Sequence, residues 1–229
     1  MQQKTIRHWL TVIACCGLAA SSIGICTNAM GVFYTPVSEA LGVGRGTFAL
    51  HTTITLLTSG FFSLLVARLL RRYRYRPLLL TGVLLTCATT ALMSCTKSIW
   101  VFYLLSFFRG VGMSCFSLMP VTAIITNWFE ARHGLAMGIT LSFSGLSGAV
   151  FNPLFTWLIS LAGWQTAYLL MALFALLLAV PGILLLRFSP SEIGLTPYGA
   201  NAEPHVKPAA PQSGAGWRLT ASISACSPP

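Results

Sequence analysis

IWVFYLLSFFRGVGMSCFSLMPVTAIITNW, residues 99–128, carries one charged side chain, Arg109, in thirty positions. A helix rising ~1.5 Å per residue crosses ~30 Å of hydrocarbon in about 20 residues, so this run is long enough to span a bilayer with tilt. Five further apolar runs flank it: Trp9 to Tyr34, Phe48 to Ala67, Pro77 to Met93, Gly134 to Ala162 and Ala167 to Phe188. None shows the polar/apolar alternation of a membrane barrel, and an open sheet edge would leave backbone groups unpaired in lipid. The pattern predicts an all-α membrane protein with six transmembrane helices over residues 1–188.

Composition agrees. The 229 residues are 55% hydrophobic and 8% charged, with a mean hydropathy of +0.76, against roughly 25% charged residues in soluble domains. So few charges cannot hydrate a folded surface, which excludes a water-soluble globule. The formal charge of +10 comes from 14 Lys and Arg against four Glu. On a soluble face such a balance would suggest nucleic acid. Here the basic residues lie between apolar runs, so they report topology and no nucleic-acid partner.

Lys4 and Arg7 precede the first run, Arg68, Arg71, Arg72, Arg74 and Arg76 separate the second from the third, Arg132 separates the fourth from the fifth, and Arg187, Lys207 and Arg218 follow the sixth. The opposite side has only Arg45 and Lys97. The positive-inside rule therefore puts both termini in the cytoplasm, with the protein integral to the inner or plasma membrane. Trp9, Tyr34, Trp100, Trp128 and Trp164 fall near span ends, as interfacial aromatics do. The basic run from Arg68 to Arg76 also suits anionic headgroups, so lipid is an expected partner.

Beyond Phe188 the composition changes. Seven of the twelve prolines lie between Pro190 and Pro229, and residues 189–229 read as a disordered cytoplasmic tail or linker. The N-terminal run is not read as a cleaved signal, because only about six apolar residues precede Cys15 whereas a secretory core needs ~7 to 15. Six of seven cysteines fall in or beside apolar runs without metal or disulfide spacing. Nucleotide loops, histidine-carboxylate clusters and nucleophile elbows are missing from the sequence, so no enzyme and no cofactor is expected.

The polar residues inside the spans carry the functional reading. Arg109, ~10 residues past Ile99, lies ~15 Å deep, near the midplane. Insertion costs ~2.5 to 3.5 kcal/mol there, so the side chain must face a partner or a wet cavity. It either attracts an anionic substrate or satisfies helix-end carbonyls. His51 reads as a relay or an interfacial histidine. Asn28 and Asn152 line a cavity or bridge helices. Pro153 follows Asn152, and its missing backbone donor permits a bend that can serve a gate. Gly134, Gly138, Ser142, Gly145 and Ala149 fall on one face at spacings of three and four, a smooth groove for packing or sliding against another helix.

Several local motifs carry a resemblance. They are Gly31-Val32-Phe33-Tyr34-Thr35-Pro36, Arg109-Gly110-Val111-Gly112, Trp128-Phe129-Glu130-Ala131-Arg132-His133-Gly134-Leu135-Ala136-Met137-Gly138, Gly163-Trp164-Gln165 and Glu192-Ile193-Gly194-Leu195-Thr196-Pro197-Tyr198-Gly199. With six spans and a basic loop after the second, the chain resembles the amino-terminal half of a major facilitator superfamily transporter over about residues 9 to 200. Its motifs are similar to the monocarboxylate and oxalate/formate antiporter branch. In the basic loop Arg72, Arg76 and Pro77 match that family, while Ala67, Arg71 and Arg74 replace its usual Gly, Asp and Gly.

The resemblance implies one half of a major-facilitator fold and secondary active transport of small organic anions by alternating access, since such carriers enclose their substrate between two six-span halves. A second half or a second copy of the chain would complete it, and the ending Gly216 to Pro229 reads as a truncated or out-of-frame end. Arg109, Asn28, His51 and Asn152 are then the expected substrate-binding residues. Arg72, Arg76, Gly110, Gly112, Gly138, Gly145 and Pro153 are the expected conformational ones. The competing reading is a non-transporting membrane remnant or an anchor and interaction module.

Overall fold

The computed structural model describes residues 2–72, 75–129 and 133–186, leaving aside the side chains of 2–7 and 70–72. The expected tail, 189–229, and the side chain of Arg72 lie outside the described residues. The elements are α1 (Gln2–Ala19), a π-helical turn (Ala20–Ile25), a 3-10 stretch (Asn28–Phe33), α2 (Tyr34–Leu41), α3 (Arg45–Arg72), α4 (Tyr75–Cys95), α5 (Ile99–Phe116), α6 (Leu118–Trp128) and α7 (His133–Leu185). Five stretches are long and apolar enough to cross a membrane: His8–Leu41, Arg45–Leu69, Tyr75–Cys95, Ile99–Trp128 and His133–Leu185. This is an all-helical membrane protein over the described residues.

The last two expected spans share one 53-residue helix, α7. Its path departs from helical dihedral angles at Gly163, where φ is 79° and ψ is 166°. That conformation is essentially reserved for glycine, because a Cβ would strain it. The two limbs lie along α1 in opposite senses. On the first limb Thr140 pairs with Cys16, and Ser147 with Ala20, so both numbers rise together. On the second, Leu178 approaches Gly17 while Gly182 approaches Ala14, so they run against each other. Gly163 therefore reverses the chain. Residues around Pro153 keep helical angles. A missing amide donor loosens a helix, but only the left-handed angle at Gly163 turns it back.

Two expected continuous spans are also broken. In the first span the α-helix ends at Ala19, the backbone widens into the π-helical turn, and it then tightens into the 3-10 stretch before α2. In the fourth, Ser117 adopts an extended conformation (φ −69°, ψ −170°) between α5 and α6. Hydroxyl-bearing and small residues permit both interruptions, since Ser and Gly compete weakly for helical geometry. Gly42, at φ 64°, closes α2, with its amide and that of Val43 donating to Glu39 and Ser38 carbonyls.

α5 packs between α3 and α4, and α1 packs against α7, which also meets α4. Near one end of the bundle Phe33, Tyr168, Phe102, Phe48 and Phe155 form a buried aromatic layer, with Phe33 and Tyr168 rings 4.4 Å apart. The outside is apolar too: Trp100 is 77% exposed and Phe61 75%. Such a surface is stable against lipid or another apolar partner, not against water.

Candidate functional site

The first span is irregular between Ala20 and Phe33, and several of its carbonyls accept side-chain hydrogen bonds. Ser147 of α7 donates to the Ala20 carbonyl at 3.1 Å, and Thr27 donates back to Ser22 at 3.1 Å. Arg109 of α5 donates through Nη2 to the Cys26 carbonyl at 2.7 Å. Ser21, inside the break, donates outward to the Ala175 carbonyl at 2.8 Å. The fourth span and both limbs of α7 are thus fastened to one irregular segment.

The sequence leaves Arg109 two roles, attracting an anionic substrate or satisfying helix-end carbonyls, and its bond to the Cys26 carbonyl is of the second kind. The side chain is enclosed, 1% exposed, with Nε making no hydrogen bond. The Nη2 bond to a carbonyl is charge-assisted, and the buried Nε is a donor that a rearrangement or ligand could satisfy.

His51 is also buried. Its Nδ1 donates to the Phe48 carbonyl, a group that can only accept, which leaves Nε2 as the acceptor toward Thr52 Oγ1 at 3.3 Å. Tyr34 in turn donates to Thr52 Oγ1 at 2.9 Å. The His51 ring packs against Phe48 (4.3 Å between centroids), Tyr34 and Phe102. Thr55, one turn on, donates to the His51 and Ser106 carbonyls.

Asn28 is exposed and Asn152 half-buried. Asn28 lies against Gly148, one turn before Asn152 on α7. The two carboxamides therefore share one neighbourhood between the first span and α7, and the Asn152 Oδ1 is buried without a partner. His51 and Arg109 occupy the bundle interior instead.

The expected conformational residues divide by environment. Gly110 and Gly112 are contact points on α5. A Cβ at Gly110 would come within 2.7 Å of the Thr55 carbonyl on α3, and one at Gly112 within 2.5 Å of Thr86 Oγ1 on α4. Gly138 and Gly145 have open space around them, so the small-residue face of α7 is unoccupied among the described residues. Arg76 caps the far end of α7: Nε and Nη2 reach the Leu186 carbonyl at 3.2 and 3.1 Å, and Tyr75 donates to the same oxygen at 2.7 Å. This is the expected placement of a cation at a helix C-terminus.

Sequence reasoning missed Ser21, Ser22 and Ser147 as parts of the site. The adjacent serines followed by Gly24 were the available signal, because hydroxyls next to a glycine weaken α-helical continuity.

Among curated proteins, the chain is 29% identical over 185 residues to monocarboxylate transporter 13 of Bos taurus, covering 80% of the chain and 43% of that protein. It is 26% identical over 188 residues to monocarboxylate transporter 2 of Homo sapiens, covering 80% of the chain and 38% of that protein. It is 20% identical over 192 residues to an uncharacterized MFS-type transporter, YcxA, of Bacillus subtilis, covering 83% and 44%. The chain spans less than half the length of these relatives. Residues 14–224 match the Major Facilitator Superfamily, a family of transporters rather than enzymes. The protein belongs to the Major Facilitator Superfamily.

Proposed function

We propose that this chain forms the six-crossing half of a secondary active carrier that moves small organic anions, monocarboxylates in particular, by alternating access. Five apolar helical stretches, the last of them reversing at Gly163, support a reading with six crossings of the membrane. The distribution of basic residues then puts both termini on the cytoplasmic side of an inner or plasma membrane. A second six-span half or a second copy closes the pathway. The names of the monocarboxylate transporters among its relatives support the substrate class.

The observation that carries the reading is the interrupted first span held by Arg109. A membrane helix broken at mid-depth, with its freed carbonyl bonded to a cation from another span, is a segment with alternative hydrogen-bonding arrangements. A merely passive anchor needs no such break. Asn28 and Asn152 face the pathway. Arg109 and His51 gain access to it when the first span rearranges, while Gly110 and Gly112 keep α5 close to its neighbours and Gly138, Gly145 and Pro153 present the face toward the completing half. Arg72 and Arg76 hold the cytoplasmic ends of the spans.

The test is uptake of a radiolabelled monocarboxylate into proteoliposomes. Saturable uptake above that of empty vesicles, reduced at least tenfold by Arg109→Ala, supports the reading. Equal uptake by the unaltered and Arg109→Ala proteins removes Arg109 from the mechanism.

A further inference from the structure

We propose that a cavity between the first, second and fourth spans is a carboxylate site whose main recognition element is the N-terminus of α6. It has a volume of about 340 Å³ and is bordered by Ser22, Ser59, Ser63, Ser117, Leu118 and Met119, with Leu56 and Met113 supplying apolar wall. That volume is near the lower end for ligand pockets and suits a small solute.

The donors converge on this cavity because both spans are broken beside it. The extended backbone at Ser117 starts α6 afresh within the fourth span, an eleven-residue helix whose N-cap makes no side-chain bond to its first turn. The first amides of a helix have no partner within it, and they carry the positive end of its dipole. Pro120 has no amide hydrogen, so the free donors are those of Leu118 and Met119, two residues on the cavity wall.

Ser22 supplies an independent sign of a missing ligand. It is 1% exposed, it borders the same cavity from the π-helical turn, and its Oγ has no hydrogen-bond partner. A buried hydroxyl without a partner is uncommon and costly. Ser63 and Ser117 donate to the Gly60 and Ser114 carbonyls, so their hydrogens are committed. Ser22 keeps a hydrogen to give.

Among the described residues the cavity wall includes no acidic side chain to repel an anion, and no basic one. Arg109 does not border it and spends Nη2 on Cys26. A short monocarboxylate therefore places its oxygens against the Leu118 and Met119 amides and the Ser22 hydroxyl, with its hydrocarbon along Leu56 and Met113. This assignment rests on the reading of the chain as an organic-anion carrier.

Equilibrium binding of radiolabelled 2-hydroxypropanoate to the chain in lipid nanodiscs, beside uptake in proteoliposomes, tests it. Ser117→Asp puts a fixed carboxylate on the same amides and is expected to weaken binding at least tenfold. Ser117→Ala, uncharged and with no acceptor to set against those amides, is expected to stay within about threefold, which separates competition for the amides from loss of the serine side chain. Ser22→Ala is expected to weaken binding severalfold. Labelling of Met119→Cys by a thiol reagent should slow when the anion is present. If Ser117→Asp binds as the unaltered protein does while uptake persists, the site is wrong and the carrier reading stands. Absence of binding by the unaltered protein overturns the site, and absence of uptake overturns the carrier reading as well.

Discussion

Arg109 Nη2 and the Cys26 carbonyl lie 2.7 Å apart, joining the fourth span to the point where the π-helical turn of the first span ends. Both partners are buried, so neither can exchange this bond for water without a change in the bundle. The bond therefore couples the position of α5 to the irregular backbone of the first span.

Arg109→Ala leaves the Cys26 carbonyl unsatisfied in a dry interior. Loss of a hydrogen bond to a charged group costs about 1.5–3 kcal/mol, so a lower unfolding midpoint is expected together with reduced uptake. Arg109→Lys keeps the charge but has a compact head on a flexible stem, and it should recover part of the stability and little of the uptake. Thermal unfolding in detergent, run beside vesicle uptake, reads both. Unchanged midpoints for both variants would show that the bond contributes nothing.

Gly112→Ala and Gly138→Ala make a matched pair. The new methyl at 112 would press on Thr86 Oγ1 and on the Gly82 carbonyl, whereas at 138 it would enter open space. Overpacking costs about 1–3 kcal/mol, while alanine is a better helix former than glycine by about 1 kcal/mol. Gly112→Ala is expected to be destabilised and Gly138→Ala to be neutral or slightly stabilised. Equal unfolding midpoints would contradict the close approach of α5 and α4.

Gly163→Ala forces a side chain into left-handed backbone at the reversal of α7. A cost of about 1–3 kcal/mol follows from the strain. Limited proteolysis of vesicles should show a new cleavage site near the substitution. A variant as protease-resistant as the unaltered protein would mean that the turn tolerates ordinary angles.

Single cysteines at Gly44 and Gln165, in a chain with its own cysteines replaced, test the topology. Both should react with an impermeant thiol reagent added to whole cells, whereas a cysteine at Lys4 should react only after permeabilisation. Labelling of positions 44 and 165 from opposite sides would rule out the six-crossing arrangement.

The apolar runs fixed the helical class and most span borders, because a bilayer leaves little choice of backbone. Gly163 fell in the gap between two expected spans, yet nothing in composition indicated that helix would continue on either side of it. The adjacent serines before Gly24 mark a weak point in the first span, but hydropathy does not place the break at Ala20–Ile25 or the one at Ser117. The first is tied to Ser147, Arg109 and Ala175, each more than 80 residues from its partner in the chain. Arg109 stands out as a buried charge for which helix-end carbonyls are one expected partner, but hydropathy gives depth and not direction, so it does not say that the carbonyl is that of Cys26. Ser22 looked like any small polar residue in a membrane helix. Only the fold brought it beside the start of α6.

The most direct test of the carrier account is counterflow. Proteoliposomes holding the chain, preloaded with unlabelled 2-hydroxypropanoate and diluted into a trace of the labelled anion, should accumulate label transiently above its equilibrium level. That overshoot requires one site that opens to each face in turn. Label that rises only to equilibrium, at the same rate with and without preloading and no faster than in empty vesicles, would contradict the account.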